Sequence, residues 1–229
     1  ANRPPLCESA FSTLPLGAIK PRGWLEKQLR MQADTLTGNI SKFWPDLGPD
    51  SGWLGGEGES WERGPYYVDG LVPAAYLLDD KELIEEAKKW INWSLETQRD
   101  NGWFGPECNT EWWPRGIMLK ALVQYYEASN DPRVIPALDK FFKHMWKELP
   151  TKPLEIWSIY RWSDIAMCAI WLYNRTGDEY LFDLSKLMMH QGYDWARHFT
   201  TFEQTKRSSG FHHLTHVVNN AMGVKTPGY

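Results

Sequence analysis

Four short segments of the chain combine carboxylate, arginine, histidine and tryptophan side chains. They contain Glu59, Trp61, Glu62 and Arg63, then Trp113 and Arg115, then Arg161, Trp162 and Asp164, and finally His216. Carboxylates and histidines exchange protons and accept hydrogen bonds, and arginines donate hydrogen bonds to oxygen atoms. Indole rings add apolar faces with a polar edge. Such a combination is typical of a pocket for a polar substrate with aromatic walls.

Glu62, Asp164 and His216 are the candidate catalytic residues. Both carboxylates adjoin aromatic residues that exclude water and raise the pKa of a carboxyl group. Cleavage of a glycosidic bond requires one carboxylic acid to protonate the leaving oxygen and a second group as base or nucleophile. His216 would bind a sugar hydroxyl or carry a proton. The structural alternatives are an ion pair of Glu62 with Arg63 or Arg115, Asp164 as a helix cap, and a buried core histidine.

The remaining members of the four segments are expected to bind the substrate. They are Glu59, Trp61, Arg63, Trp113, Arg115, Arg161 and Trp162. The chain contains 14 Trp, 10 Tyr and 9 Phe, and aromatic faces stack on the C–H faces of sugar rings. A carbohydrate is therefore the first ligand class to consider. Packing in a helical core is the alternative role for any single tryptophan.

Three acidic turns, centred on Asp80, Asp131 and Asp178, divide the chain into helical hairpins. After each turn, apolar residues recur at helical spacing along one stripe, which predicts an amphipathic outer helix. Before each turn lies a segment that is apolar on nearly all sides, which predicts a buried inner helix. These inner segments span residues 67–78, 117–128 and 165–175.

The repeated hairpin predicts an all-α fold in which inner helices are ringed by outer ones, that is, an α/α toroid. A helix over residues 23–37 adds an outer member, and a fourth inner helix is predicted to begin near Thr215. About four hairpins are fewer than a closed ring requires. We therefore expect residues 1–229 to be the N-terminal part of a single toroidal catalytic domain, with the four polar segments at one mouth of the ring.

Charge, hydropathy and cysteine usage narrow the class of protein further. The net charge is −4 and the basic residues are scattered, which argues against a nucleic-acid partner. The sequence contains no apolar run near the roughly 20 residues that cross a bilayer. Cys7, Cys108 and Cys168 lack metal-site spacing, so no metal or cofactor is expected in this chain. A first residue Ala1 suits a processed protein, so we expect a secreted or periplasmic location.

Three stretches of the sequence carry more specific motifs. They are Leu14-Pro15-Leu16-Gly17 with Pro21-Arg22-Gly23-Trp24-Leu25, then Gly55-Gly56-Glu57-Gly58-Glu59-Ser60-Trp61-Glu62-Arg63-Gly64-Pro65-Tyr66, and Leu172-Tyr173-Asn174-Arg175-Thr176-Gly177-Asp178. They resemble the β-L-arabinofuranosidase-like proteins of glycoside hydrolase family 127. The resemblance extends over nearly the whole chain and implies an (α/α)6 catalytic barrel.

The resemblance also implies a zinc-bound cysteine nucleophile in the later half of the barrel. Cys108 and Cys168 do not match that motif, so the resemblance implies zinc only for a longer protein. Of the histidines that contact arabinose in family members, the resemblance implies that one corresponds to His216 of this chain. Leu71 and Trp162 stand where two other histidine-containing segments are expected. The chain therefore looks like a divergent branch of the family.

These observations predict a glycoside hydrolase that acts on plant-type or other complex glycans, in the manner of an exo-acting β-L-arabinofuranosidase. Two alternatives stay open. One is a sugar epimerase or polysaccharide lyase on the same toroid, with a histidine as base. The other is a non-catalytic carbohydrate-binding fragment. The expected partners are an oligosaccharide or glycoside substrate and either the C-terminal part of the barrel or a second copy of the chain.

Overall fold

The described part of the chain folds as helices joined by short turns. A computed structural model describes residues 2–203, 206 and 209–228, so residues 1, 204, 205, 207, 208 and 229 of the predicted domain lie outside it. The α-helices are α1 Trp24–Gln32, α2 Arg63–Leu78, α3 Lys81–Glu96, α4 Trp112–Ser129, α5 Val134–Glu148, α6 Ile156–Thr176, α7 Glu179–Gln191, α8 Trp195–Thr201 and α9 Val217–Gly223. Since these residues contain no strand, the all-α prediction is confirmed.

Shorter helical turns complete the described structure. A π-helical turn, Ala33–Thr37, continues α1, and 3₁₀ turns lie at Ile40–Lys42, Pro45–Leu47, Gly52–Leu54 and Thr226–Gly228. Among the residues with described positions, none of the helices has both the length and the apolar character that a bilayer crossing requires.

Each of the three hairpins turns at a residue with positive φ. Asp79, Asn130 and Gly177 end α2, α4 and α6 with φ values of 52°, 54° and 82°. Aspartate, asparagine and glycine tolerate this left-handed conformation better than other residues. In the first hairpin, the side chain of Asp80 then accepts a hydrogen bond from the N–H of Leu83 at 3.1 Å. The acidic turns thus end one helix and begin the next.

The helices pack as an inner row and an outer row. The inner helices are α2, α4 and α6, with α2 packed on α4 and α4 packed on α6. The outer helix α3 packs on α2, α7 packs on α6, and α5 contacts both α4 and α6. The short helix α9 also packs on α6, at the place of the predicted fourth inner helix. This arrangement brings the beginnings of the inner helices to the same end of the molecule.

The inner helices begin earlier than the sequence pattern indicates. They start at Arg63, Trp112 and Ile156, which are four, five and nine residues before the predicted starts at 67, 117 and 165. The charged and aromatic segments expected to precede the helices therefore form their first turns. A helix start is hard to recognise when its charged side chains are buried and paired instead of solvated.

Much of the aromatic content serves the core. Trp53, Trp90, Trp113 and Trp195 are fully buried. The inner helices also approach closely: a Cβ on Gly116 of α4 would lie 2.6 Å from Cγ1 of Ile165 on α6. Core packing is therefore the role of these tryptophans, although Trp113 also contributes its indole N–H to the site described next.

Candidate functional site

Glu62, Trp113 and Arg161 meet where the three inner helices begin. One oxygen of Glu62, Oε2, accepts a hydrogen bond from Nε1 of Trp113 at 2.8 Å and another from the guanidinium of Arg161 at 3.3 Å. Glu62 immediately precedes α2, Trp113 lies in the first turn of α4, and Arg161 lies in the second turn of α6. Three residues predicted to lie at one opening are thus brought together by three different helices.

Arg161 is buried at the centre of this arrangement. Its guanidinium carbon lies 4.5 Å from the ring centre of Trp113 and 4.7 Å from that of Trp157. Nε donates to Oδ1 of Asn219 at 2.7 Å, and one terminal nitrogen lies 3.4 Å from the hydroxyl of Tyr66. Two indole rings and fixed acceptors hold the planar guanidinium in one orientation. Together these residues form the central cluster: Glu62, Tyr66, Trp113, Trp157, Arg161 and Asn219.

Tyr66 forms the open aromatic side of the central cluster. It is 38% exposed, and its ring contacts that of Trp113 edge to face at 6.0 Å between centres. Burial of the hydroxyl raises the pKa of Tyr66 to about 12. The phenol therefore stays protonated at neutral pH and is able to donate a hydrogen bond.

The second oxygen of Glu62 is the free acceptor of the cluster. The side chain is 33% exposed, and Oε1 has no hydrogen-bond partner within residues 2–203, 206 and 209–228. Two N–H donors already occupy Oε2. The same contacts fix the orientation of the carboxylate and therefore the position of Oε1. This arrangement suits acceptance of a hydrogen bond from a ligand hydroxyl.

His216 adjoins the central cluster through an aromatic contact. Its ring centre lies 5.4 Å from that of Trp157, and Nδ1 accepts a hydrogen bond from the N–H of Asn219 at 3.3 Å. Burial lowers the pKa of His216, and the charge of Arg161 lowers it further. His213 stacks on Tyr160 at 4.9 Å, and burial lowers its pKa as well. Both imidazoles are therefore neutral at neutral pH.

Glu59 and Arg63 lie in a neighbouring group instead of the central cluster. Arg63 forms an ion pair with Asp46, and its guanidinium carbon lies 5.4 Å from the ring centre of Trp44. Oε1 of Glu59 accepts a hydrogen bond from the N–H of Arg63 at 3.4 Å, whereas Oε2 is buried with no partner among the described residues. Burial raises the pKa of Glu59. The structural alternative of a Glu62–Arg63 pair is not observed.

Arg115 and Trp162 do not line the predicted rim. Arg115 is fully buried and donates hydrogen bonds to the carbonyl oxygens of Phe104 and Pro106 at 2.7 and 2.9 Å. Trp162 is buried, and its Nε1 donates to the carbonyl oxygen of Tyr193 at 3.2 Å. Both side chains satisfy loop carbonyls that would otherwise lose their hydrogen bonds on burial. Arg115 and Trp162 therefore do not belong to the surface that a ligand reaches, contrary to the prediction.

Asp164 lies in the middle of α6 instead of beside its start. The side chain is only 1% exposed and forms an ion pair with Lys225. Its Oδ2 is buried and has no hydrogen-bond partner in the described part of the chain. The position differs from the predicted one because α6 begins nine residues earlier than expected, at Ile156. Asp164 is therefore neither an exposed acid at the mouth of the ring nor a helix cap, which were the two predicted roles.

Trp61 lines a separate cavity of about 760 Å³ next to the central cluster. This lateral cavity lies between the segments that lead into α4 and α6 and the C-terminal turn of α5. Its aromatic wall is formed by Trp61, Trp103 and Trp112. Trp61 and Glu62 are consecutive in sequence, so neighbouring residues contribute to the lateral cavity and to the central cluster.

The cysteines do not fit the zinc site that the family resemblance implies. Cys7 and Cys108 are exposed, whereas Cys168 is fully buried, and burial strongly raises the pKa of its thiol. A thiol that holds its proton is a poor zinc ligand. Over the described ranges, no three His, Cys, Asp or Glu side chains converge in a way that would hold a metal ion. No zinc-dependent step follows from these residues.

Sequence reasoning missed three members of the central cluster. Tyr66 ends the 55–66 motif but was not singled out, and Trp157 lies four residues before Arg161 on the same helix face. That helical spacing was a usable signal for Trp157. Asn219 lies 58 residues from Arg161, and no local pattern connects the two.

A comparison with protein families agrees with this architecture. The model of the β-L-arabinofuranosidase catalytic domain of glycoside hydrolase family 127 matches residues 54–226, a span that includes the whole central cluster. Searches of curated proteins and of solved structures give no match. The three inner–outer hairpins agree with the (α/α)6 fold of that family. Because the match covers well over half of its length, the chain belongs to the β-L-arabinofuranosidase catalytic-domain family of glycoside hydrolase family 127.

Proposed function

We propose that the central cluster binds the terminal sugar residue of a glycan as part of an exo-acting glycosidase of the β-L-arabinofuranosidase type. The observation that supports this most directly is the orientation of Glu62. Its Oε2 is held by Trp113 and Arg161, its Oε1 accepts no hydrogen bond from the described residues, and its side chain is 33% exposed. This site lies within the family match, and family membership makes a glycan the expected substrate class.

The residues of the cluster have complementary binding roles. Oε1 of Glu62 accepts hydrogen bonds from sugar hydroxyl groups, and a hydrogen bond to a charged acceptor contributes about 1.5–3 kcal/mol. The exposed ring of Tyr66 packs on the C–H face of the sugar, while its hydroxyl group donates a hydrogen bond. His216 presents its neutral imidazole to the same ligand, either for a hydroxyl or for proton transfer.

Arg161 acts as a positioning residue. It is buried beneath the rings of Trp113 and Trp157 and holds Glu62 by an ion pair, so it fixes the carboxylate before a ligand arrives. Such preorganisation reduces the free energy that binding would otherwise spend on ordering side chains. A secreted or periplasmic location belongs to the same proposal, because extended glycans are encountered there.

Hydrolysis of a panel of nitrophenyl glycosides tests the proposal. In the presence of the expected partner, the C-terminal part of the barrel, we expect nitrophenyl β-L-arabinofuranoside to be hydrolysed faster than the α-anomer or the corresponding galactoside. Glu62→Gln should lower kcat/KM by about 30-fold, which corresponds to about 2 kcal/mol. Glu82→Gln, which changes an exposed glutamate in the first turn of α3, is the matched control and should leave the rate unchanged.

Product analysis separates this proposal from the alternatives. A product with a new double bond would indicate a lyase, and an isomerised sugar without bond cleavage would indicate an epimerase. If intrinsic fluorescence reports binding of methyl β-L-arabinofuranoside while no glycoside is hydrolysed, the chain is a carbohydrate-binding unit. Equal rates for the Glu62→Gln and Glu82→Gln variants would contradict the role of Glu62.

A further inference from the structure

The lateral cavity has the composition of a second sugar-binding surface. Its volume of about 760 Å³ lies within the range of small-molecule sites. Trp103 and Trp112 form an edge-to-face pair with ring centres 4.9 Å apart, and the guanidinium carbon of Arg115 lies 3.8 Å from the ring centre of Trp103. The aromatic wall is therefore fixed from behind by a buried cation.

Polar groups complete the lining of the cavity. Thr110 is exposed, and its hydroxyl has no partner within the residues whose positions are described. Oδ1 of Asn101 accepts a hydrogen bond from the N–H of Trp103 at 2.9 Å, which leaves its amide nitrogen as a donor. Oε1 of Glu111 accepts from the N–H of Ser158 at 3.2 Å. Free donors and acceptors beside indole rings suit the mixed polar and apolar surface of a sugar.

The charge of the cavity restricts the class of sugar. Three carboxylates, those of Glu111, Glu148 and Glu155, line it together with a single lysine, Lys152. That lysine is already paired with Glu148 at 2.7 Å. His144 also lines the cavity, and burial lowers its pKa, so it adds no charge at neutral pH. An excess of negative charge accepts a neutral sugar and repels a uronate.

A strained residue marks the border between the cavity and the central cluster. Ile156 lines the cavity and has a φ of 42°, a conformation that is unfavourable for a β-branched side chain. Such strain persists where the surrounding structure imposes it and is common at binding sites. The next residue, Trp157, belongs to the central cluster. Consecutive residues of one segment therefore belong to the two sites.

We propose that the lateral cavity is a second subsite, which binds a neutral sugar residue of the same glycan whose terminal residue occupies the central cluster. This inference rests on the proposed function for the identity of the ligand. It adds a preference for neutral oligosaccharides of at least two residues over uronate-containing ones. Trp61, which lines the cavity beside Glu62, lies at the junction of the two sites.

Protection of Cys108 from a thiol reagent tests this subsite directly. Cys108 is exposed and lines the cavity, whereas Cys168 is fully buried. The measurement uses a Cys7→Ser background and a maleimide, with labelling followed by mass spectrometry. At arabinotriose concentrations about ten times its Kd, about a tenth of the sites remain free, so labelling should slow about tenfold. Trigalacturonate at the same concentration should give no protection.

Two variants and a control locate the effect in the cavity. Trp103→Ala should abolish protection, and Thr110→Val, which removes one hydroxyl from an exposed position, should weaken it while leaving the fold intact. Trp146→Ala changes an exposed tryptophan of α5 that does not line the cavity and should retain full protection. Equal labelling rates with and without arabinotriose would overturn the subsite. Equal protection by trigalacturonate would overturn its selectivity for neutral sugars.

Failure of the subsite is distinguishable from failure of the proposed function. A nitrophenyl monosaccharide places its sugar in the central cluster alone, so its hydrolysis does not depend on a second sugar residue. If hydrolysis requires Glu62 while arabinotriose leaves Cys108 unprotected, only the subsite proposal is contradicted. Protection of Cys108 without hydrolysis of any glycoside would support the subsite and contradict the glycosidase proposal.

Discussion

Replacement of Arg161 by methionine should destabilise the protein substantially, although it removes a single charged side chain. The guanidinium of Arg161 packs against two indole rings and donates its shortest hydrogen bond, 2.7 Å, to Oδ1 of Asn219. It also pairs with Glu62 at 3.3 Å. One side chain of α6 thus joins the segments of α2, α4 and α9. Methionine fills part of the same volume without any of the polar contacts.

The magnitude follows from the groups that lose a partner. Asn219 is fully buried, and an unsatisfied buried acceptor costs about 2 kcal/mol. Loss of the stacked cation costs about 1 kcal/mol more. Glu62 is 33% exposed, so water replaces its lost contact, and we count nothing for it. The expected loss is about 3 kcal/mol, which for a chain of this length lowers Tm by about 6–12 °C.

Urea unfolding followed by far-UV circular dichroism measures this difference. Arg161→Lys should give an intermediate value, because lysine keeps the charge but lacks the planar group that packs against the indoles. Arg22→Met is the control: its side chain is 80% exposed and 3.7 Å from Glu26, so its loss should change stability by less than about 0.5 kcal/mol. If Arg161→Met were as mild as this control, the arginine would not be the structural centre of the site.

Two further predictions concern ion pairs outside the central cluster. Lys225→Met should lower stability by about 3 kcal/mol because it leaves Asp164 buried without a cation. The added substitution Asp164→Asn should restore most of the loss. Chemical denaturation of the single and double variants checks both values. A side-chain hydrogen bond from Arg133 lowers the pKa of Asp131 to about 2. Since the unfolded value is about 3.8, this contribution is complete above about pH 5 and is lost progressively as the pH falls towards about 2. Asp131→Asn should flatten the pH dependence of the unfolding midpoint in that range. An unchanged slope would show that the Asp131–Arg133 pair does not contribute to the pH dependence of stability.

The hairpins were predictable because their signals are local. Acidic and glycine-containing turns at Asp80, Asp131 and Gly177 separate segments whose apolar residues repeat at helical spacing. Each signal lies within one or two turns of helix. The difference between inner and outer helices was also readable, since a helix without a polar face is buried on most sides.

The first turns of the inner helices were not predictable from the same rules. Pattern analysis treats an arginine as a solvated residue, whereas Arg115 and Arg161 are buried against carbonyl oxygens and indole rings. Such burial depends on partners contributed by other segments. Asp164 was misplaced for the same reason, because its partner Lys225 lies 61 residues further along the chain.

The candidate site was therefore predictable in its membership but only partly in its geometry. Glu62, Trp113 and Arg161 were expected at one opening, and they do form a hydrogen-bonded group. Residue types alone did not show that Arg63 would turn towards Asp46 instead. Adjacent side chains at the start of a helix point in different directions, so a one-residue difference decides which cluster a residue joins.

The two sites differ in how firmly their polar groups are held, and this difference bears on specificity. In the central cluster, Glu62 and Arg161 are fixed by each other and by Trp113, so a ligand must match their positions. In the lateral cavity, the side chain of Thr110 is exposed and has no partner among the described residues, and exposed Asn101 is held only through its Oδ1. A rigid polar site rejects a sugar that leaves one of its groups unpaired, whereas an adjustable one accepts several. The terminal sugar should therefore be recognised stringently, and the second sugar chiefly by its lack of charge.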